Sequence, residues 1–363
     1  MSSARAAPEA WRVAALGGPR AYGAPLAHGV LRAEPEDFVV EEELGFSPSG
    51  TGQHVLLKIR KREANTQWVA RELARLCDCH PREIGYAGLK DRHAVATQWF
   101  TVPRSRLSPE AWREVRQAQF EVLEAAAHSR KLPRGALAGN RFSIRVRNMQ
   151  PDGGPDAVAA FDTRVDQIRR AGVPNYFGMQ RFGRDGANLA RIADGLSALR
   201  APERGFILSA ARSLVFNAVL GARVADGSWK DIETGDIANL DGRGSVFRVD
   251  TLDDSLAARC AALDIHPTGP LWGRGQPTTR GRPYELEARV AAEFVQPCTL
   301  VAEAGMEQER RPLRLAVRDL TCERSADSVV LQFRLTRGSF ATTVLRELIE
   351  AEGVADEGSE GGS

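Results

Sequence analysis

Alternation constrains this chain more than any other feature. In HVLLKIRKR, Val55, Leu57 and Ile59 recur with period two, and in FSIRVR the same spacing carries Phe142, Ile144 and Val146. Each segment reads as a strand with one buried and one basic face. FVVEE from Phe38 reads as another strand, and VVLQFRL near the C-terminus alternates in the same way. The C-terminal strand needs the N-terminal strands to cover its apolar face, so the sheet is expected to draw on both ends of the chain.

Helical patterns fall between and after these strands. NTQWVARELARLC places Val69, Leu73 and Leu76 on one side, with Asn65 or Thr66 positioned as cap. GSFATTVLRELIEAEG turns through Gly338 and is expected to run as a helix to near Gly353. The middle, from about Val173 to Arg314, differs in texture: Gly-rich turns (NLDGRGS, GPLWGRGQPTTRGRP), an acid-rich run and short helical pieces such as LVFNAVLGARV mark a separate module. A length of 363 residues suits two domains or one domain with a large insertion. The first two dozen residues and the tail ADEGSEGGS, rich in small residues and without periodicity, are expected to be disordered.

Several classes of chemistry find no support. No uninterrupted apolar run approaches the ~20 residues of a membrane span, so no membrane association is expected. MSSARAAPEAWRVAALGG lacks a secretory apolar core and the five cysteines form no regular framework, which points to a reducing, cytoplasmic setting. Cys77, Cys79 and His80 spell CxCH, matching neither zinc nor haem spacing, and read as a helix end with incidental thiols; no metal is expected. Walker, GxGxxG, HExxH and GxSxG patterns are absent from the sequence. The net charge of +2 is small, yet KIRKR and SRKLPRGALAGNRFSIRVR contain no acid. A basic first half of this kind suits a polyanion.

GYAGLKDRHAVATQWF places Asp91 on a loop leading into an alternating segment, where an Asp beside Gly and Lys is either a turn former or a reagent. The set LRAEPEDFVVEE, GQHVLLKIRKREANTQWVA, IGYAGLKDRHAVATQWF, GNRFSIRVR, GVPNYFGMQRFG and GSFATTVLREL resembles the tRNA pseudouridine synthase D family, in family order from about Leu31 to Leu348. Ala96, where Thr is expected, is a small departure beyond the reactive group. The resemblance implies an α+β fold: a pseudouridine synthase-type catalytic domain with a mixed or antiparallel sheet, assembled from residues 25–165 and 315–353, and an inserted α/β TRUD domain over 166–314. It implies tRNA as partner and isomerisation of a uridine, U13 of the D arm, with no cofactor, metal or obligate protein partner.

By the same resemblance Asp91 is the nucleophile, and Phe38, Asn140 and Phe340 contact the flipped-out base. An ionised Asp beneath a desolvated base needs a cation. Arg346, six residues after Phe340, has a spacing resembling the motif by which other pseudouridine synthases bring Arg to Asp, and is preferred to the adjacent Lys90. Lys90 is expected to point the other way, toward phosphate, together with Arg141, Arg145 and Arg147, which face away from Phe142. His93 reads as a local hydrogen-bond partner. On residue chemistry alone, Phe38, Phe142 and Phe340 also suit a core and Asn140 a turn. A tRNA-binding or RNA-folding protein and an RNA-base glycosidase are the alternative functions.

Overall fold

The computed structural model describes residues 8–104, 107–151, 156–183, 186–196 and 199–353. Its larger sheet has ten strands, seven in the order Arg318–Arg324, Ser328–Thr336, Gly139–Pro151, Phe38–Glu43, Val95–Pro103, His54–Arg62 and Phe120–His128. The segment Ser328–Thr336 is antiparallel to Gly139–Pro151 along its whole length, so the two ends of the chain share one sheet. Phe38 and Val40 stand opposite Ile144 and Phe142, which stand opposite Leu331 and Phe333. Helix Ala157–Ala171 covers this apolar face with Phe161, Val165 and Ile168. Further along the same face, Leu57, Ile59 and Phe100 are covered by helix Thr66–Cys77, whose start is capped by Asn65 Oδ1 accepting the Trp68 N–H at 2.7 Å. Two covering helices thus flank the middle of one sheet face.

The opposite face is not a bare basic surface. Lys58 lies 2.8 Å from Glu41 and 3.3 Å from Glu124, Arg60 pairs with Glu121, Arg62 with Glu36, and Arg334 with Glu43. Other strands and the turn Pro35–Asp37 supply carboxylates that KIRKR lacks, and its outward-facing cations are neutralised across the sheet.

A second sheet orders Val246–Arg248, Ile237–Leu240, Ile265–Leu271 and Glu309–Pro312, with helix Ala201–Ala225 packed against it. Glu203–Ala225, with a mean hydropathy of 1.5, is long and apolar enough to cross a membrane, a length that a search for uninterrupted apolar runs overlooks because Arg212 and Arg223 punctuate it. Here it is a core helix, mostly buried beneath Glu9–Ala15, Ala187–Asp194, Gly281–Glu293 and Val295–Glu303.

Two sequence expectations need correction. The N-terminal stretch is structured from Pro8 onward: helix Glu9–Ala15 buries Trp11, Ala14 and Ala15, and Asn217 Nδ2 donates to the Ala14 carbonyl at 3.1 Å. Residues 1–7 and the tail 354–363 lie outside the described residues. The C-terminal helix is confined to Ala341–Leu345, and Ile349–Gly353 is a strand parallel to Ala27–Leu31. The open edge of Ala27–Leu31 offers backbone partners, and that tertiary gain overrides the local helical pattern.

Candidate active site

Asp91 stands on the segment joining strand Gly85–Tyr86 to strand Val95–Pro103. The segment is tied down group by group. The Gly88 carbonyl accepts from Gln98 Nε2 at 2.6 Å, the Lys90 N–H donates to Thr66 Oγ1 at 3.0 Å, and Thr66 in turn donates to Gln98 Oε1 at 2.9 Å. Lys61 Nζ donates to the Asp91 carbonyl at 2.8 Å and to the Ala64 carbonyl at 2.6 Å, and lies 3.5 Å from the Lys90 carbonyl. Lys61 continues the inward series Leu57, Ile59 and is fully buried. Burial pushes its pKa down to about 8, a shift that the nearby Asp91 carboxylate partly offsets.

The Asp91 carboxylate itself faces Arg32, whose Nη2 lies 2.7 Å from Oδ2. Arg32 has a left-handed backbone (φ 57°), which turns the chain after strand Ala27–Leu31. Its guanidinium lies 4.2 Å from the Phe38 ring centroid, and its carbonyl lies 3.1 Å from His93 Nε2. His93 is thus a local hydrogen-bond partner. Phe38 is braced from below: its ring meets Phe142 edge-on at 6.2 Å, and Phe142 stacks on Phe333 at 5.4 Å.

Asn140 sits in register between Glu42 and Leu335, on the inward face. It is 8% exposed, and among the described residues its Oδ1 has no hydrogen-bond partner. An unpaired buried amide oxygen costs about 1–3 kcal/mol, which a ligand N–H can recover. Phe340 is half-buried against Tyr176, Phe177 and Phe216, on the turn after Thr336, which pairs with Gly139 next to Asn140. That turn is held by the PNYFG segment: Arg311 Nη2 donates to Asn175 Oδ1 at 2.8 Å and to the Gly338 carbonyl at 3.3 Å, with its guanidinium 4.1 Å from the Phe177 ring.

The expected roles of the cations change. Arg346 does not meet Asp91; it donates to the carbonyls of Gly17 and Gly18 at 2.8 and 2.9 Å and lies over Tyr176. Six residues on a helix leave two side chains about 120° apart, and the helix has ended by Leu345. Lys90 does not point to solvent but forms a 2.5 Å pair with buried Glu42, because the loop is folded rather than extended. Arg147 is held by Asp37 and Glu34, fixing the turn before Phe38, and Arg141 lies 3.5 Å from Glu43. Arg145 is exposed and, among the described residues, has no ion-pair partner. Arg32, Lys61 and Glu42 are the site residues that sequence reasoning missed. Alternation placed Lys61 and Glu42 inward, a signal that was available; no period marked Arg32.

The Asp91 carboxylate is backed by the Arg32 guanidinium, which covers the 4%-exposed ring of Phe38, and Asn140 is buried on the same sheet face; a carboxylate, a guanidinium and an amide acceptor are groups that can hold a flat heterocycle. The fold has a solved counterpart: a Methanosarcina mazei structure described as a tRNA pseudouridine synthase D superposes with a TM-score of 0.70 at 20% identity, covering 94% of this chain and 98% of that one. The class is therefore an α+β protein of that fold. The family model for tRNA pseudouridine synthase D matches residues 20–198 and 188–348. Proteins named tRNA pseudouridine synthase D from Nitrosococcus oceani and Methylococcus capsulatus are each 45% identical, over 92% of this chain and 94% of theirs. The chain belongs to the tRNA pseudouridine synthase D family.

Proposed function

We propose that this protein isomerises a uridine of tRNA to pseudouridine, at position 13 of the D arm, with Asp91 as the nucleophile. The observation that carries the reading is the anchoring of the Asp91 loop by buried side chains, with the carboxylate directed to Arg32 beside Phe38. The C1′–N1 bond breaks, the freed uracil turns, and a C5–C1′ bond forms; C5 releases a proton and N1 gains one, so atoms and electrons balance without an external reagent. Asp91 meets the positive charge that develops on the sugar, and Arg32 keeps the carboxylate ionised while the extruded base excludes water. The Arg32 guanidinium, backed by the Phe38 ring, supplies a planar surface that repays part of the few kcal/mol of unstacking, and Asn140 Oδ1 accepts from the base N3–H.

The test is incubation of the protein with unmodified tRNA, followed by carbodiimide mapping. Pseudouridine at position 13 is expected, and Asp91→Asn is expected to bind tRNA and make none. An abasic product would indicate a glycosidase, tight binding without product a binding protein, and substantial turnover by Asp91→Asn would remove the carboxylate from the mechanism.

A further inference from the structure

Behind the segment that leads into the Asp91 loop lies an open cavity of about 570 Å³, with Gln67, Arg71, Arg82, Tyr86, Lys131 and Arg134 in its wall. Its size is that of a small-ligand site. Four cations line it and no carboxylate does. Among the described residues none of these four is ion-paired, whereas Lys58, Arg60 and Arg62 on the sheet each hold a glutamate. Lys131 Nζ donates to the Arg82 carbonyl, and Arg71, Arg82 and Arg134 remain as lining cations without an ion pair among the described residues. A concave wall of one charge concentrates anions.

Tyr86 supplies a second ingredient. The Arg134 guanidinium lies 4.0 Å from its ring centroid, and the Tyr86 hydroxyl accepts from Arg134 Nη2 at 2.9 Å. A ring braced by a guanidinium is a platform on which any base can stack. Gln67 adds an amide that both donates and accepts at a base edge.

The cavity wall is also part of the scaffold of the catalytic loop. The Ala87 carbonyl accepts from the Gly135 N–H at 2.7 Å, and Thr66, next to Gln67, accepts from the Lys90 N–H at 3.0 Å. Asp91 lies five residues beyond Tyr86, hence no more than about 18 Å away. That distance is spanned by a few nucleotides, at about 3.4 Å or more each.

We propose that this cavity is a second nucleotide site: it takes an unpaired nucleotide of the same RNA, with the phosphate among Arg71, Arg82 and Arg134 and the base on the Tyr86–Arg134 pair. The proposal rests on the reading of the protein as a tRNA-modifying enzyme. It places RNA on both sides of the Asp91 loop, so that the cavity adds affinity for the same RNA without touching the reacting uridine.

The experiment compares the full-length protein with Arg71→Ala/Arg134→Ala and with Tyr86→Leu, using unmodified tRNA. The double variant removes two exposed side chains and is expected to raise Kd and KM about tenfold, leave kcat within about twofold, and lower the slope of log Kd against log salt by one to two. Tyr86→Leu keeps every cation, so it should weaken Kd with the slope unchanged. KM, Kd and slope all unchanged in both variants would overturn the proposal. So would uridine 5′-monophosphate binding, seen by calorimetry and lost in Tyr86→Leu, if tRNA affinity stayed the same, because the cavity would then serve a free nucleotide. A wild-type protein that binds tRNA but makes no pseudouridine refutes the proposed activity alone, since the salt slopes decide the cavity without turnover.

Discussion

Replacing Lys61 by Met tests whether a buried cation holds the Asp91 loop. The substitution keeps most of the side-chain volume while removing the ammonium that donates to the carbonyls of Asp91 and Ala64 at 2.8 and 2.6 Å. Hydrogen bonds from a charged donor contribute about 1.5–3 kcal/mol each, so the loop loses several kcal/mol of restraint at its base. Catalysis then falls by about a hundredfold or more, since a displacement near 1 Å at the reacting group costs that much. Stability moves differently. The folded-state pKa is depressed from 10.5 to about 8, so from about pH 8 upward the folded protein binds fewer protons than the unfolded chain, and stability rises with pH. Between about pH 7 and pH 9.5 the wild type should gain about 2 kcal/mol over Lys61→Met, read from paired urea melts. The groups facing Lys61 electrostatically are Asp91, Lys90 and Glu42, and single-turnover pseudouridine formation across the same pH range separates loop control from global stability. A Lys61→Met protein with wild-type kcat, or a stability difference flat in pH, refutes the argument.

Three further outcomes follow from the cations. Arg32→Ala should lower kcat about a hundredfold with tRNA affinity largely retained, and Arg32→Lys should restore part of it; equal kcat in all three proteins would dismiss the 2.7 Å pair with Asp91 as incidental. Arg346→Ala should cost about 2–4 kcal/mol of stability through its bonds to Gly17 and Gly18, with kcat unchanged well below Tm; a loss of kcat at unchanged Tm would put Arg346 back beside the reaction. Arg145→Ala should reduce the salt slope of tRNA binding by about one, whereas Arg147→Ala should lower Tm through the freed and buried Asp37, so the reverse assignment in calorimetry and binding titrations would show that the exposed and the paired arginine have been exchanged.

What the sequence made legible was whatever repeats along a strand. The inward series Phe38–Val40 and Phe142–Ile144–Val146, and the pairing of the C-terminal strand with the N-terminal ones, rest on a period of two that register must respect. The loop position of Asp91 came from motif and flanking pattern. Arg32 stayed hidden because its approach depends on one left-handed residue and a cross-strand turn, which leave no period. Arg346 misled because a helix was carried past Leu345, where a free strand edge captures the chain instead. KIRKR misled for the opposite reason: its carboxylates lie on other strands, out of sight of any local charge count.

The two chain ends are fastened to each other. Glu347 accepts the N–H groups of Ala21 and Tyr22, Arg346 caps the carbonyls of Gly17 and Gly18, and Ile349–Gly353 lies alongside Ala27–Leu31. During synthesis Gly139–Pro151 therefore meets Phe38–Glu43 first, and the edge that Ser328–Thr336 will occupy stays open until that distant strand follows. The central module can collapse meanwhile, while the open edge of Gly139–Pro151 waits. The turn that carries Phe340 is thus the last part of the candidate site to be laid down, and it joins the sheet through Ser328–Thr336.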